Sequence, residues 1–306
     1  MSRHIALLAL MVVLFSCNVD YKMKHDGVES RAVVNALLSP QEDFTVKLFW
    51  SGVYSGDSTR FRPVANARIR LTEDGDKVLD LAASPDGTTP TAFRPTAGRS
   101  YRLEVDIPGY GRLSASTEVP AAPSVDIRSP KKNERYSHFE LSRIETDPNT
   151  TGLWITGKSK VVWHHSDKYG FIGDTLSYKV DSYHTASQFV DQVNAAGDVY
   201  DAQDKGASVS FSDFLHITQE NFAIVLPLRF SSYGGLNRYN EHKFTLTFTA
   251  ASKPYDLYKR SLYKQRNNSG SLASGNPFIE QVTVYSNIDN GLGIFAGYNT
   301  YKTPEL

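Results

Sequence analysis

Tyr101-Arg-Leu-Glu-Val-Asp-Ile107 sets an apolar residue against a polar one at every step. Successive side chains on a strand point to opposite faces, so Tyr101, Leu103, Val105 and Ile107 share one side of a half-buried β-strand. Working outward, Phe44, Val46 and Leu48 repeat the period on one neighbouring run, and Ile69 and Leu71 on another. Asp74-Gly75, Pro85-Asp-Gly87 and Gly109-Tyr-Gly111 separate these runs with residues that favour tight turns. Short strands at roughly ten-residue spacing, punctuated in this way, predict an antiparallel sandwich.

The second half of the chain reads similarly. Leu153 to Val162, Phe222 to Phe230, Phe244-Thr-Leu-Thr-Phe248 and Val282-Thr-Val-Tyr285 are predicted strands. One helix interrupts them, over Lys253 to Arg266. Ser252 is its expected cap, Pro254 lies in its first turn, and Tyr255, Tyr258, Leu262 and Tyr263 fall on one face. Ala186 to Ala196 suits a second short helix or an irregular loop. Pro120-Ala-Ala-Pro123 breaks the strand pattern and marks a domain boundary. The expected fold is therefore mainly β: two antiparallel β-sandwich-like domains, residues 31–120 and 121–306, with one or two short helices in the second.

At the other end, Ile5-Ala-Leu-Leu-Ala-Leu-Met-Val-Val-Leu-Phe15 follows Arg3 and His4, the layout of an export signal over residues 1–16. At ~1.5 Å per residue a helix of this length covers about half of a ~30 Å hydrocarbon core, too short to span it. Leu14-Phe15-Ser16-Cys17 resembles the lipobox at which bacterial lipoprotein precursors are acylated and cleaved. Cys17 is the only cysteine in the chain, and acylation consumes the thiol that an exported protein would otherwise carry unpaired. Several acyl chains hold durably where one does not, so palmitate-type acylation of Cys17 would anchor the chain to a membrane without a spanning helix. Residues 17–30 are polar and without period, and read as a tether.

Composition excludes several classes. The chain carries 33 basic and 33 acidic residues, so the basic excess of a nucleic-acid binder is missing. With 40% hydrophobic residues it has enough material for packed cores without disulfides. His164-His165 lie side by side on a predicted strand and point apart, which defeats metal chelation. Asp198, Asp201 and Asp204 recur at three-residue spacing, whereas a calcium loop uses alternate positions. No Gly-x-Ser-x-Gly and no phosphate-cradling glycine loop occurs. No metal or other cofactor is expected, and no catalytic residue stands out. Carboxylate pairs that meet only in three dimensions stay open.

Two aromatic segments merit attention. Ser231-Ser-Tyr-Gly-Gly-Leu-Asn-Arg-Tyr239 carries Tyr233, Arg238 and Tyr239, residue types that favour interfaces or sugar stacking; a plain hairpin connection is the alternative. Val284-Tyr-Ser-Asn-Ile-Asp-Asn-Gly-Leu-Gly-Ile-Phe-Ala-Gly-Tyr298 suits a hairpin turning at Asn290-Gly291, with Gly293 and Gly297 at bulges or close approaches. That motif has a structural reading and, through Phe295 and Tyr298, a partner-contact reading.

Pro63-Val-Ala-Asn-Ala-Arg-Ile-Arg-Leu71, with Ala97-Gly-Arg-Ser-Tyr-Arg-Leu-Glu-Val105 and Pro108-Gly-Tyr110, resembles the carboxypeptidase-regulatory or transthyretin-like sandwich. The closing motif, the tyrosine-bearing helix, Arg31-Ala-Val-Val-Asn35 and the lipobox together resemble a Bacteroidota lipoprotein family, the domain-of-unknown-function family 4249. The resemblance implies an outer-membrane, lipid-anchored accessory protein with no assigned enzymatic role, partnered by a TonB-dependent transporter barrel. The periplasmic or outward side stays open. The alternative is an envelope hydrolase or glycan-binding protein whose site lies in loops of the second domain.

Overall fold

In the repeat that opens the sequence reading, Tyr101, Leu103, Val105 and Ile107 are all at most 5% exposed, while the residues between them lie nearer solvent. The computed structural model describes residues 29–52, 61–132, 137–167, 170–179, 182–185, 195–201, 206–212, 214–218, 226–231, 241–273 and 282–306. Arg31–Ser51 and Phe61–Leu306 form one unit. Cys17, Tyr233, Arg238 and Tyr239, and most of the Ala186–Ala196 segment, lie outside the described residues.

The elements in chain order are β1 (Ala32–Leu38), β2 (Thr45–Trp50), β3 (Arg62–Pro63), β4 (Arg68–Glu73), β5 (Asp76–Ala82), β6 (Thr88–Pro90), β7 (Ser100–Ile107), β8 (Gly111–Glu118), β9 (Ser124–Lys132), β10 (Ser137–Glu145), β11 (Gly152–Asp167), β12 (Gly170–Lys179), β13 (Ser182–Thr185), β14 (Ala195–Asp201), β15 (Gly206–Ser212), β16 (Leu215–Thr218), β17 (Leu226–Ser231), β18 (Glu241–Ala251), helix α1 (Lys253–Ala273) and β19 (Leu292–Lys302). The fold is mainly β and sandwich-like. A nine-stranded sheet runs β12-β11-β18-β19-β1-β2-β3, with β16 also on β11 and β6 also on β2. A four-stranded sheet runs β5-β4-β7-β8 and a six-stranded sheet β14-β15-β13-β17-β10-β9.

Alternation explains the packing. Ala32, Val34, Ala36 and Leu38 of β1, with Phe44, Val46 and Leu48, form one core with Ile69, Leu71, Leu113 and the β7 repeat. A second core joins Leu153 and Ile155 of β11 to Leu141, Ile217, Leu246 and Phe248. Each such aliphatic or phenyl side chain contributes about 1.5–3 kcal/mol by leaving water. Trp154, between Leu153 and Ile155, points to the opposite face and packs with Phe214 and Ala251 against Tyr255 and Tyr263 of α1. The Asp74-Gly75 turn has φ of 48° and 97°, the paired positive angles of a type I′ hairpin joining β4 to β5.

β19 departs from the expected hairpin. Residues 282–288 form no strand among the described residues, and β19 pairs parallel with β1 and antiparallel with β18. The segment before it supplies side chains in place of a ladder. Asn287 Nδ2 donates to Phe295 O at 2.8 Å and Phe295 N donates to Asn287 Oδ1 at 2.9 Å, so the carboxamide imitates a neighbouring strand. One step on, Gly297 N donates to Ser252 Oγ and Thr117 Oγ1, and Ser252 N donates to Gly297 O. Gly293 has φ of +107°, and a Cβ there would collide with the Val34 carbonyl across the parallel pair. Gly297 is equally tight against the Glu118 carbonyl.

The division expected at Pro120 has a sheet running across it. β1 and β2 from before the prolines and β18 and β19 from after them belong to the same nine-stranded sheet. Asn299 Nδ2 also donates to Pro120 O at 3.0 Å, holding the connector against the last strand. The helix begins where expected but continues beyond Arg266 to Ala273, since each added residue of a formed helix gains a hydrogen bond at little further cost. Ala195 and Ala196, expected at the end of a second helix, begin β14 instead.

Gly293→Ala should lower unfolding stability by at least about 2 kcal/mol, because left-handed strain adds to a backbone collision. Gly109→Ala, also at positive φ (77°) but with nothing within 4 Å of the added carbon, should cost only the strain, about 1–2 kcal/mol. Urea unfolding of the two variants side by side measures the difference.

Candidate functional site

One concavity among the described residues is a cleft of about 640 Å³, a volume typical of small-ligand sites. One wall is the Asp74-Gly75 turn with β7 and β8, presenting Ser100, Arg102, Ser116 and Glu118. The opposite wall is the start of α1, with Lys253 and Pro254, and the 148–151 segment. Its polar character is mainly hydroxyl, and its described lining contains no histidine or cysteine.

Two carboxylates, Asp74 and Glu118, border the cleft. Asp74 is already committed: Ser100 N donates to one oxygen at 2.9 Å and Arg99 Nη1 to the other at 2.8 Å. The Ser100 bond, followed by the Arg99 contact, holds its pKa below the ordinary carboxylate value. A group kept ionised in this way is unsuited to be the proton donor of glycoside hydrolysis.

The chemistry-bearing residues that do meet are buried beneath α1. Asp256, in the first turn of the helix, accepts a bond at Oδ1 from Trp154 Nε1 at 2.9 Å and lies 2.7 Å from His216 Nε2. The His216 and Asp256 side chains are only 0% and 4% exposed, which bars a dissolved substrate from the pair. Gly152 completes the arrangement, because a Cβ there would run into Asp256 Oδ1. The carboxylate thus pins the helix to β11 and β16, a clamp and not a catalytic dyad. Ser252 stands at the cap position, where its carbonyl accepts from Asp256 N at 2.9 Å. Its hydroxyl serves Gly297 and Thr117 instead of the helix amides.

Beside the clamp is a smaller cavity of about 280 Å³, lined by Trp154, Thr156, Phe214, Lys259, Leu262, Tyr263 and Arg266. Lys259 Nζ stands 5.7 Å from the centre of the Trp154 ring. Among the described residues no cluster of three or more His, Cys, Asp or Glu has the geometry to hold a metal ion.

Of the sequence-predicted contact residues, Phe295 is corrected by the structure. It is 0% exposed and packs edge-on to Phe44 at 6.5 Å, so it serves the core and offers no partner a surface. Tyr298 is half-buried and stacks on Tyr255 of α1 at 4.7 Å. Cys17, Tyr233, Arg238 and Tyr239 lie outside the described residues. The His216–Asp256–Trp154 clamp was invisible in the sequence: its members stand 40 and 102 residues apart in the chain, without a local motif. The one available signal was an acid in the first turn of a helix.

A family model described as a domain of unknown function (DUF4249) matches residues 16–303, and the chain belongs to that family. No curated protein matches it.

Asp256→Ala should cost about 3–5 kcal/mol of stability, because it leaves buried partners unsatisfied, and should shift near-ultraviolet circular dichroism through Trp154. Thermal and urea unfolding check this. A second expectation concerns alkali. Burial, then the bond to Glu73, pushes the Tyr101 phenol from 10.0 up to about 12. Burial also raises Tyr255. Below pH 10 both phenols are neutral in folded and unfolded chain alike, and their contribution is complete. Between pH 10 and about 12 only the unfolded chain ionises, so stability falls as pH rises. Denaturation midpoints across that window test it, with Tyr101→Phe flattening the loss.

Proposed function

For this family member we propose a non-enzymatic role: a binding protein held at the bacterial outer membrane by acylated Cys17, accessory to a TonB-dependent transporter barrel. The observation that carries the reading is the route of the chain. The polar residues that follow Cys17 lead directly into β1, an interior strand of the nine-stranded sheet, so a lipid at that sulfur would hold the fold by an interior strand. Support for binding over catalysis comes from the site chemistry. The cleft offers mainly hydroxyls with a few charged groups, and the histidine–aspartate pair is shut away under α1. No described helix is long and apolar enough to cross a membrane.

Mass spectrometry of the native protein should find residue 17 as the acylated amino terminus, and Cys17→Ser should release the chain from the membrane fraction. Affinity capture from detergent-solubilised envelopes should enrich an outer-membrane barrel. A bare thiol would end the anchoring reading, and repeated capture without a barrel would end the transporter reading.

A further inference from the structure

Where β1, β2 and β3 meet the β7–β8 turn, aromatic rings and arginines gather at one end of the sheet. Phe61, 61% exposed, stands 6.3 Å from Phe49. Trp50 meets Tyr110 edge-on at 5.1 Å, and the Arg62 guanidinium lies 5.9 Å from the Trp50 ring centre. Phe49 and Trp50 are consecutive on β2 and point to opposite faces, so the rings border this end on both sides. Arg31, exposed, opens β1 at the same place; its Nη2 donates to Gly291 O at 3.1 Å. Ala32 N donates to Tyr110 Oη, which in turn donates to Asn290 O at 3.0 Å, so the rim is tied to the start of β19.

Of the acids near this end, Glu29 is exposed two residues before Arg31, whereas Asp106 and Asp289 are engaged. Asp106 pairs with Arg112 at 2.8 Å, and Asp289 accepts from Ser114 Oγ at 3.1 Å. Arg31 and Arg62 carry no ion pair with a described acid. The end is therefore aromatic and cationic at once, and two of the four large apolar side chains most exposed among the described residues, Phe61 and Tyr110, belong to it. Rings of this kind settle in the headgroup zone of a bilayer, and arginine beside them is drawn to lipid phosphates.

We infer that the Phe49–Trp50–Phe61–Tyr110 rim, with Arg31 and Arg62, rests on the surface of the phospholipid bilayer. The chain itself supplies the direction. Arg31 is where the segment from Cys17 enters the fold, and residues 18–30, fully extended, reach no farther than about 45 Å. This direction rests on the proposed acylation, but the chemistry of the rim does not. A lipid on a polar tether leaves the orientation of the fold free, and a second, protein-borne contact fixes it.

The test separates the two ideas because Cys17 is the only thiol. Unacylated mature chain, coupled through Cys17 to a maleimide-bearing lipid in phosphatidylethanolamine–phosphatidylglycerol vesicles, reproduces the tether whatever the native modification. Phospholipid brominated near the headgroup should quench an emission component that Trp50→Phe removes. Phe61→Ser with Arg62→Ser should lower the bilayer-resting fraction about tenfold, the loss expected for one interfacial phenyl and one headgroup-facing cation. Both positions are exposed, and an unchanged circular dichroism spectrum verifies folding. Unquenched Trp50 in the coupled chain, or equal quenching in the double variant, overturns the inference; so does Trp50 shielding that appears only when a membrane protein partner is added. Acylation itself is read separately, by mass.

Discussion

The parallel pairing of β1 with β19 is the contact on which the remaining architecture depends. It aligns Val33 to Leu38 with Leu292 to Gly297, strands drawn from opposite ends of the described chain. Closing so long a loop costs conformational entropy, although the cost grows only with the logarithm of its length. What offsets it is burial on both sides: β1 faces the four-stranded sheet, and β19 carries Phe295 into the same core. Parallel strands need a long connection, and here that connection contains nearly the whole protein. The approach of the two backbones is also why position 293 accepts only a hydrogen as its side chain.

Much of the architecture was legible as alternation. The β7 repeat, the Phe44–Val46–Leu48 face and the Ile69–Leu71 pair are buried as their period requires, because a two-residue repeat is a local property that survives any tertiary arrangement. The closing motif was harder. Asn290-Gly291 is the dipeptide of a tight hairpin, and Asn290 does adopt a positive φ of 59°. Yet the segment leading into it is held by the Asn287 carboxamide and an isolated bridge from Asp289 to Ser114, not by a ladder. A local pattern announces a turn and cannot say which distant strand waits beyond it. The same reason left Phe295 between a structural and a contact reading: only β1 and the four-stranded sheet, laid over it, put the phenyl in the core.

The buried polar groups show a division of labour. Ser252, Thr117 and Asn287 satisfy the amides of β19 where no strand is available, and Asn299 secures the proline connector. Asp256 and His216 do the same for the helix. A histidine–aspartate pair at 2.7 Å would suggest catalysis in an open cleft. Closed off behind Trp154 and Gly152, it is a fastening, and the hydroxyl-lined cleft and the aromatic rim are the more open surfaces among the described residues.

The interior position of β1 has a mechanical meaning. Any force transmitted along the backbone ahead of Arg31 enters a strand aligned over six residues with β19 on one flank and over six with β2 on the other. Such a load runs along both ladders, so it must shear many bonds together instead of peeling them one by one. An edge strand would unzip under the same tension. A pull on the amino-terminal end would therefore meet its resistance at the first strand it reaches.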